Sequence, residues 1–230
     1  MGLLKSSMLF SAGTVLSRFS GLARDMILAA SFGSSVFMDA FFVAYRIPNL
    51  FREMLAEGAL GGAFTKVYVD LNEKSKSEAS QFLVDALFLV FVMATLICLL
   101  GILAAPWIVD LMTMLGGSSI SPDLAVQATG LTRVLFPFLG IMMVGSVAMG
   151  ALHQWGRFFL SAFAPVNFNI GYIIGIVALG PALEAQFGKT IHFLQTSSLV
   201  TGVACGVLLG GSLQVGFYMI GLWKKALKNN

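Results

Sequence analysis

Residues 81–105, QFLVDALFLVFVMATLICLLGILAA, carry a single charge, Asp85. About 20 apolar residues of helix suffice to cross the hydrocarbon core of a bilayer, so this stretch is long enough to span one. Apolar windows of similar length, separated by helix breakers, recur at 7–31, 36–62, 126–151, 160–183 and 194–222. Six crossings with short loops consume nearly all of the 230 residues and leave little for a soluble domain. Only 11% of the residues are charged, against about a quarter in soluble domains. The fold class expected is therefore all-α, a polytopic membrane protein of six transmembrane helices. Twenty-five glycines fit close helix packing in lipid.

Between the windows lie GSSV, the charged run KVYVDLNEKSKSEAS, the stretch GGSSISPD, and HQWGRF and EAQFGK, all read as turns or short loops. Cys98 and Cys205 fall inside apolar runs, which suggests neither a disulfide framework nor metal-ligand spacing. The opening MGLLKS fits the myristoylation pattern, yet a lipid anchor adds nothing to a chain that already spans the membrane. The first apolar stretch continues through charged residues without an A-x-A-like site, so no cleavable signal peptide is expected.

Lysine and arginine are retained on the cytoplasmic side during insertion. Threading six spans puts Lys5, Lys66, Lys74, Lys76, Arg157, Lys224, Lys225 and Lys228 on one side and Lys189 alone on the other. Both termini are thus expected in the cytoplasm. The same count requires the polar window 36–62 to cross, since otherwise the Lys66, Lys74 and Lys76 cluster would move outside.

That window carries Asp39, Arg46, Arg52, Glu53 and Glu57, and the first carries Arg18, Arg24 and Asp25. An Arg, Lys or Asp at mid-membrane costs about 2.5 to 3.5 kcal/mol even on a lenient insertion scale. These eight charges therefore call for a protein-enclosed or water-filled cavity rather than lipid. If the first two spans form an antiparallel hairpin about residue 33, Arg18 lies level with Asn49 and Arg24 with Val43. All four arginines then share one band. Pro48 is expected to kink the second span. Asp39, Arg46 and Glu53 recur every seven residues, with Asn49 and Glu57 near the same stripe, while Arg52 is turned about 100° from Glu53. The four arginines and four carboxylates sum to zero, which permits a buried ion-pair network as the bland reading. Concentration of planar, multi-donor arginines in two adjacent helices favours an anionic, phosphorylated substrate.

Other residues carry less. Arg133 can snorkel to the outer surface, and Pro137 and Pro165 shape kinks. Asn167 and Asn169 either line the cavity or bridge helices. His153 and His192 stand at loop edges without a second ligand at metal spacing. Gly202, Gly206 and Gly210 recur every fourth residue, a pattern for close helix contact. No Ser/His/Asp or Cys/His set, Walker loop or dinucleotide fingerprint is present, so neither an enzyme nor a cofactor is expected. Basic residues near the cytoplasmic surface are explained by topology, and no nucleic-acid partner is implied.

The segment SRFSGLARDMILAASFGSSVFMDAFFVAYRIPNLFREMLAEGALGGAF, residues 17–64, closely resembles the amino-terminal region of the MurJ (MviN) lipid II flippases of bacteria. These belong to the wider multidrug/oligosaccharidyl-lipid/polysaccharide exporter superfamily. The likeness continues through LAAPW, RVLFPF, GALHQWGRF and FAPVNFN. It implies one six-helix lobe, residues 1–230, of a transporter whose two lobes enclose a cavity open alternately to cytoplasm and periplasm. The substrate implied is undecaprenyl-pyrophosphate-linked disaccharide-pentapeptide, and the location is the bacterial inner membrane. Arg18, Arg24 and Arg52 match the cavity arginines associated with the pyrophosphate. Ser17, Asp39, Asn49 and Glu57 match further polar positions of the motif, and Arg46 stands where family members carry Arg or Lys; together with Asp25 and Glu53 from the charge pattern, these are the expected cavity or gating residues. The family's second lobe, lipids and cell-wall synthesis proteins are the partners implied. Export of another lipid-linked glycan or amphiphile, and a non-transporting membrane scaffold, remain as alternatives.

Overall fold

The computed structural model describes residues 3–33, 35–54, 60–115 and 121–229. Nine α-helices are seen among them: α1 (Leu3–Phe32), α2 (Val36–Phe51), α3 (Gly61–Lys74), α4 (Lys76–Leu103), α5 (Ala105–Leu115), α6 (Pro122–Gln154), α7 (Phe158–Ile174), α8 (Gly180–Phe187) and α9 (Ser198–Asn229). A π-helical turn, Gly175–Leu179, joins α7 to α8, and a small antiparallel hairpin pairs β1 (Thr190–Ile191) with β2 (Thr196–Ser197). The chain is all-α in class. Four helical stretches are long and apolar enough to cross a membrane: α4, α6, the run Phe158–Phe187 and α9. Helices suit that setting because they satisfy their own backbone groups where no water can.

Local chemistry sets the helix ends. Ser75 caps α4, accepting from the Glu78 backbone N–H, with glutamate in the third position as in a capping box. Ser121 accepts from the Leu124 N–H ahead of α6, where Pro122 occupies the first turn and needs no donor. Gly33 ends α1 at φ +55, a left-handed conformation that a Cβ would disfavour.

Helix α6 is the central element. Its buried residues, Leu131, Leu135, Phe138, Met143 and Val147 among them, face neighbours on several sides. Helices α2 and α3 follow it in the same direction. The Tyr45 ring lies 6.0 Å from Phe138, and one level further on Phe64 abuts Gly150. Helix α4 runs antiparallel, with the Phe136 ring occupying the space where Gly101 has no side chain and Cys98 Sγ donating to the Phe136 carbonyl. Helix α1 runs parallel to α7, matching Gly13 to Ala162 and Gly21 to Asn169.

The tightest packing joins α7 and α8 to α9. Gly171, Gly175 and Gly180 meet Gly210, Gly206 and Gly202 backbone to backbone; a Cβ on Gly206 would stand 2.5 Å from the Gly175 Cα. The predicted stripe on α9 thus has a glycine partner at each level. Spacings of four and then five residues on the facing side stay in line because the π turn winds more residues per turn than an α-helix.

Several expectations need correction. The run 66–80, read as a loop, is the body of α3 and the start of α4, with Ser75 alone extended between them. Phe64, Tyr68 and Leu71 share one face of α3, and burial of Phe64 and Tyr68 against α4 and α6 makes helix the better state. EAQFGK is helical through Phe187, so the turn comes later, in the β1–β2 hairpin. The last long helix begins at Ser198, not at residue 194. Beyond the α4 break, residues 105–115, which fall between the windows, form α5. The window 36–62 contains α2 with Pro48 inside it and then the start of α3.

Candidate functional site

Helices α1 and α2 do not pack on one another as a hairpin; among the described residues α1 lies along α7 and α2 along α6. The level predicted for Arg24 is nevertheless close to that observed. The Arg24 guanidinium carbon lies 5.1 Å from the Tyr172 ring centroid, and the opposite neighbour of Tyr172 is Phe41, two residues from Val43, at 6.3 Å. Tyr172, absent from the sequence reading, is therefore the wedge between the two helices. Its only signal was its position one turn beyond Asn169.

The Arg24 guanidinium is held on three sides. Its Nε and Nη2 donate to Asp25 Oδ1 at 2.9 and 2.8 Å, and its Nη1 donates to Asn169 Oδ1 at 3.0 Å. The Asn169 amide nitrogen in turn donates to Ser20 Oγ at 2.8 Å and to the Ser17 carbonyl at 3.3 Å. Asn169 is only 4% exposed, so of its two possible roles it bridges helices, and does so by orienting an arginine. The nearby Asn167 Nδ2 is buried with no hydrogen-bond partner.

At the end of α2, Arg52 Nε donates to Asn49 Oδ1 at 3.1 Å and Nη2 reaches Glu53 Oε1 at 3.4 Å, while Asn49 Nδ2 donates to the same Glu53 oxygen at 2.9 Å. The two arginine clusters share a pattern: each guanidinium is held by an amide and by the carboxylate next in sequence. The guanidinium side chains are mostly sheltered, at 24% and 17% exposure, whereas Asp25 and Glu53 stand 60% and 54% exposed. Both pairs join residues adjacent in sequence, so by themselves they tie no two helices together. Arg18, Arg46 and Asp39 are exposed, and none has a side-chain partner among the described residues. Ser17 contributes its carbonyl, as above. Glu57 lies outside the described residues.

Guanidinium groups held in place and still partly exposed can receive an anion through charge-assisted hydrogen bonds. No group of three metal-ligating side chains occurs among the described residues. His153, which the sequence left without a role, bonds through Nε2 to Ser161 Oγ at 2.7 Å.

Residues 28–229 match the model of the family described as MurJ, lipid II flippase. The chain belongs to the MurJ lipid II flippase family. It is 33% identical over 225 residues to the lipid II flippase MurJ of Burkholderia cenocepacia, covering 97% of this chain and 41% of that protein. It is likewise 33% identical over 227 residues to the probable lipid II flippase MurJ of Treponema pallidum, with 95% and 39% covered. A solved structure titled lipid II flippase MurJ, inward closed conformation, superposes with a TM-score of 0.71 at 27% identity, over 94% of this chain and 42% of that one. The chain thus spans about two-fifths of the length of these MurJ relatives. MurJ proteins are transporters rather than enzymes, and this MurJ-family chain is a multi-pass membrane protein.

Proposed function

We propose that this chain is the amino-terminal lobe, residues 1–230, of a lipid II flippase of the bacterial inner membrane. Its six spans are α1, α2 with the start of α3, α4, α6, α7 with α8, and α9, and both termini face the cytoplasm. The substrate is the undecaprenyl-pyrophosphate-linked disaccharide-pentapeptide, moved from the cytoplasmic to the periplasmic leaflet by alternating access.

The observation that carries this reading is the pair of oriented arginines. Arg24 and Arg52 are each pinned by an amide and a largely exposed carboxylate, and Arg18 of α1 and Arg46 of α2 are exposed. Fixed guanidinium forks suit a pyrophosphate because little conformational freedom is lost on binding. Neutralising the phosphates lowers the penalty for drawing them through a bilayer core, while the polyprenyl tail remains in lipid. Asp25 and Glu53 would give up their share of each guanidinium when the anion arrives.

The test is complementation in the context of a full-length relative. Arg24→Ala or Arg52→Ala in the aligned positions should abolish support of peptidoglycan synthesis while the protein is still made and inserted. Normal growth on either variant alone would remove these residues from the substrate path.

A further inference from the structure

On the face of α6 away from α2, two cavities follow one another along a single helical stripe. Val126, Thr129, Gly130 and Arg133 line the first, and Pro137, Gly140, Ile141 and Val144 line the second. The first, about 290 Å³, is completed by Asp110 of α5 and by Phe193, Leu194 and Gln195 of the hairpin. The second, about 440 Å³, is an apolar groove walled by Ala94, Cys98 and Leu99 of α4 and Val215 of α9. Neither involves a residue of α1 or α2, so both are separate from the arginine cluster.

Depth fixes what the pair can hold. The hairpin, which carries Lys189, His192 and Gln195, packs its Leu194 carbonyl against Gly130, so this level of α6 lies at the water–lipid boundary. Arg133 is one turn deeper. From Arg133 to Val144 the axis advances about 16 Å, close to half of an approximately 30 Å hydrocarbon core. The apolar groove therefore runs from headgroup level to the middle of the bilayer, the reach of one acyl chain in one leaflet.

The upper cavity contains one cation and one anion. Arg133 and Asp110 form no ion pair with each other, and neither side chain has a partner among the described residues. A cation and a carboxylate that line one pocket without neutralising each other complement a ligand bearing both charges. We propose that this site binds one phospholipid with a zwitterionic, ammonium-bearing headgroup, its phosphodiester on Arg133, its ammonium on Asp110 and one acyl chain in the α4–α6–α9 groove. The occupant belongs to the leaflet on the side of the α1–α2 turn. Charge-assisted contacts to both headgroup charges give specificity, and the groove gives affinity.

The full chain, purified in mild detergent, is equilibrated with equimolar phosphatidylethanolamine, phosphatidylcholine and phosphatidylglycerol of identical acyl chains, and retained lipid is read by native mass spectrometry. Phosphatidylethanolamine should be retained roughly tenfold over the other two, the difference expected for one charge-assisted hydrogen bond. Asp110→Asn should erase that preference, and Asp110→Lys should transfer it to phosphatidylglycerol. Arg133→Gln should lower retention of all three, and Val144→Phe should lower all three without changing their order. A gained preference in Asp110→Lys cannot come from misfolding. Equal retention of the three lipids by the unaltered chain would overturn the proposal, as would an unchanged preference in Asp110→Lys or displacement of phosphatidylethanolamine by an equimolar polyprenyl diphosphate.

Discussion

Asn169 on α7 accepts from Arg24 on α1 through one end of its amide and donates to the Ser17 carbonyl and Ser20 hydroxyl through the other. One buried side chain therefore both seats α1 and aims its arginine. Asn169→Leu keeps the branched shape but deletes every one of these bonds. Loss of a buried amide of this kind costs about 1 to 3 kcal/mol. The variant should melt at lower temperature in detergent, and amides of α1 around Ser17–Arg24 should exchange faster. Unchanged exchange in α1 would show that the bridge does not hold the helix.

The glycine contacts of α7 and α8 with α9 should be intolerant of any side chain. Gly206→Leu would drive its Cβ to 2.5 Å from the Gly175 Cα, where only backbone can yield. Overpacking of this kind costs about 1 to 3 kcal/mol. Gly216, on the same helix, has nothing within 4 Å of a built Cβ. Gly216→Ala should accordingly be neutral or stabilise by up to about 1 kcal/mol through helix propensity. Thermal melts of the two variants side by side separate close contact from a general effect of glycine replacement.

Orientation can be read with single cysteines after Cys98 and Cys205 are replaced by alanine. A membrane-impermeant thiol reagent applied to intact cells should label Lys189→Cys and should label Lys74→Cys only after permeabilisation. The reverse pattern would invert the proposed topology.

The long apolar helices were legible because lipid imposes a length and a polarity that composition alone reports; α4 and α6 follow their windows to within a few residues at each end. Segments at the membrane edge were not. Helix α3 looked like a charged loop because its buried face is narrow, resting on Phe64 and Tyr68, and its helical state depends on the partners Phe82 and Trp155 from distant parts of the chain. The arginines of α1 and α2 were legible as misfits in lipid. Their supports were less so, since Asn169 and Tyr172 become neighbours of Arg24 only once α1 has docked on α7, across an interval that spacing within α1 cannot reveal. The glycines of α9 announced a close approach, but the π turn that keeps Gly171, Gly175 and Gly180 in line left no mark in the periodicity.

That glycine seam has a mechanical meaning. Where two helices touch through their backbones, no rotamer can change to let them slide, so α7, α8 and α9 must travel as one piece. Alongside the Gly13–Ala162 contact, α1 is fastened to that piece by an asparagine, a serine and an arginine resting on a ring, all of which can turn about their own bonds. Any displacement of α1 should therefore be absorbed at the α1–α7 seam, with the α7–α9 pair serving as the fixed frame against which it moves.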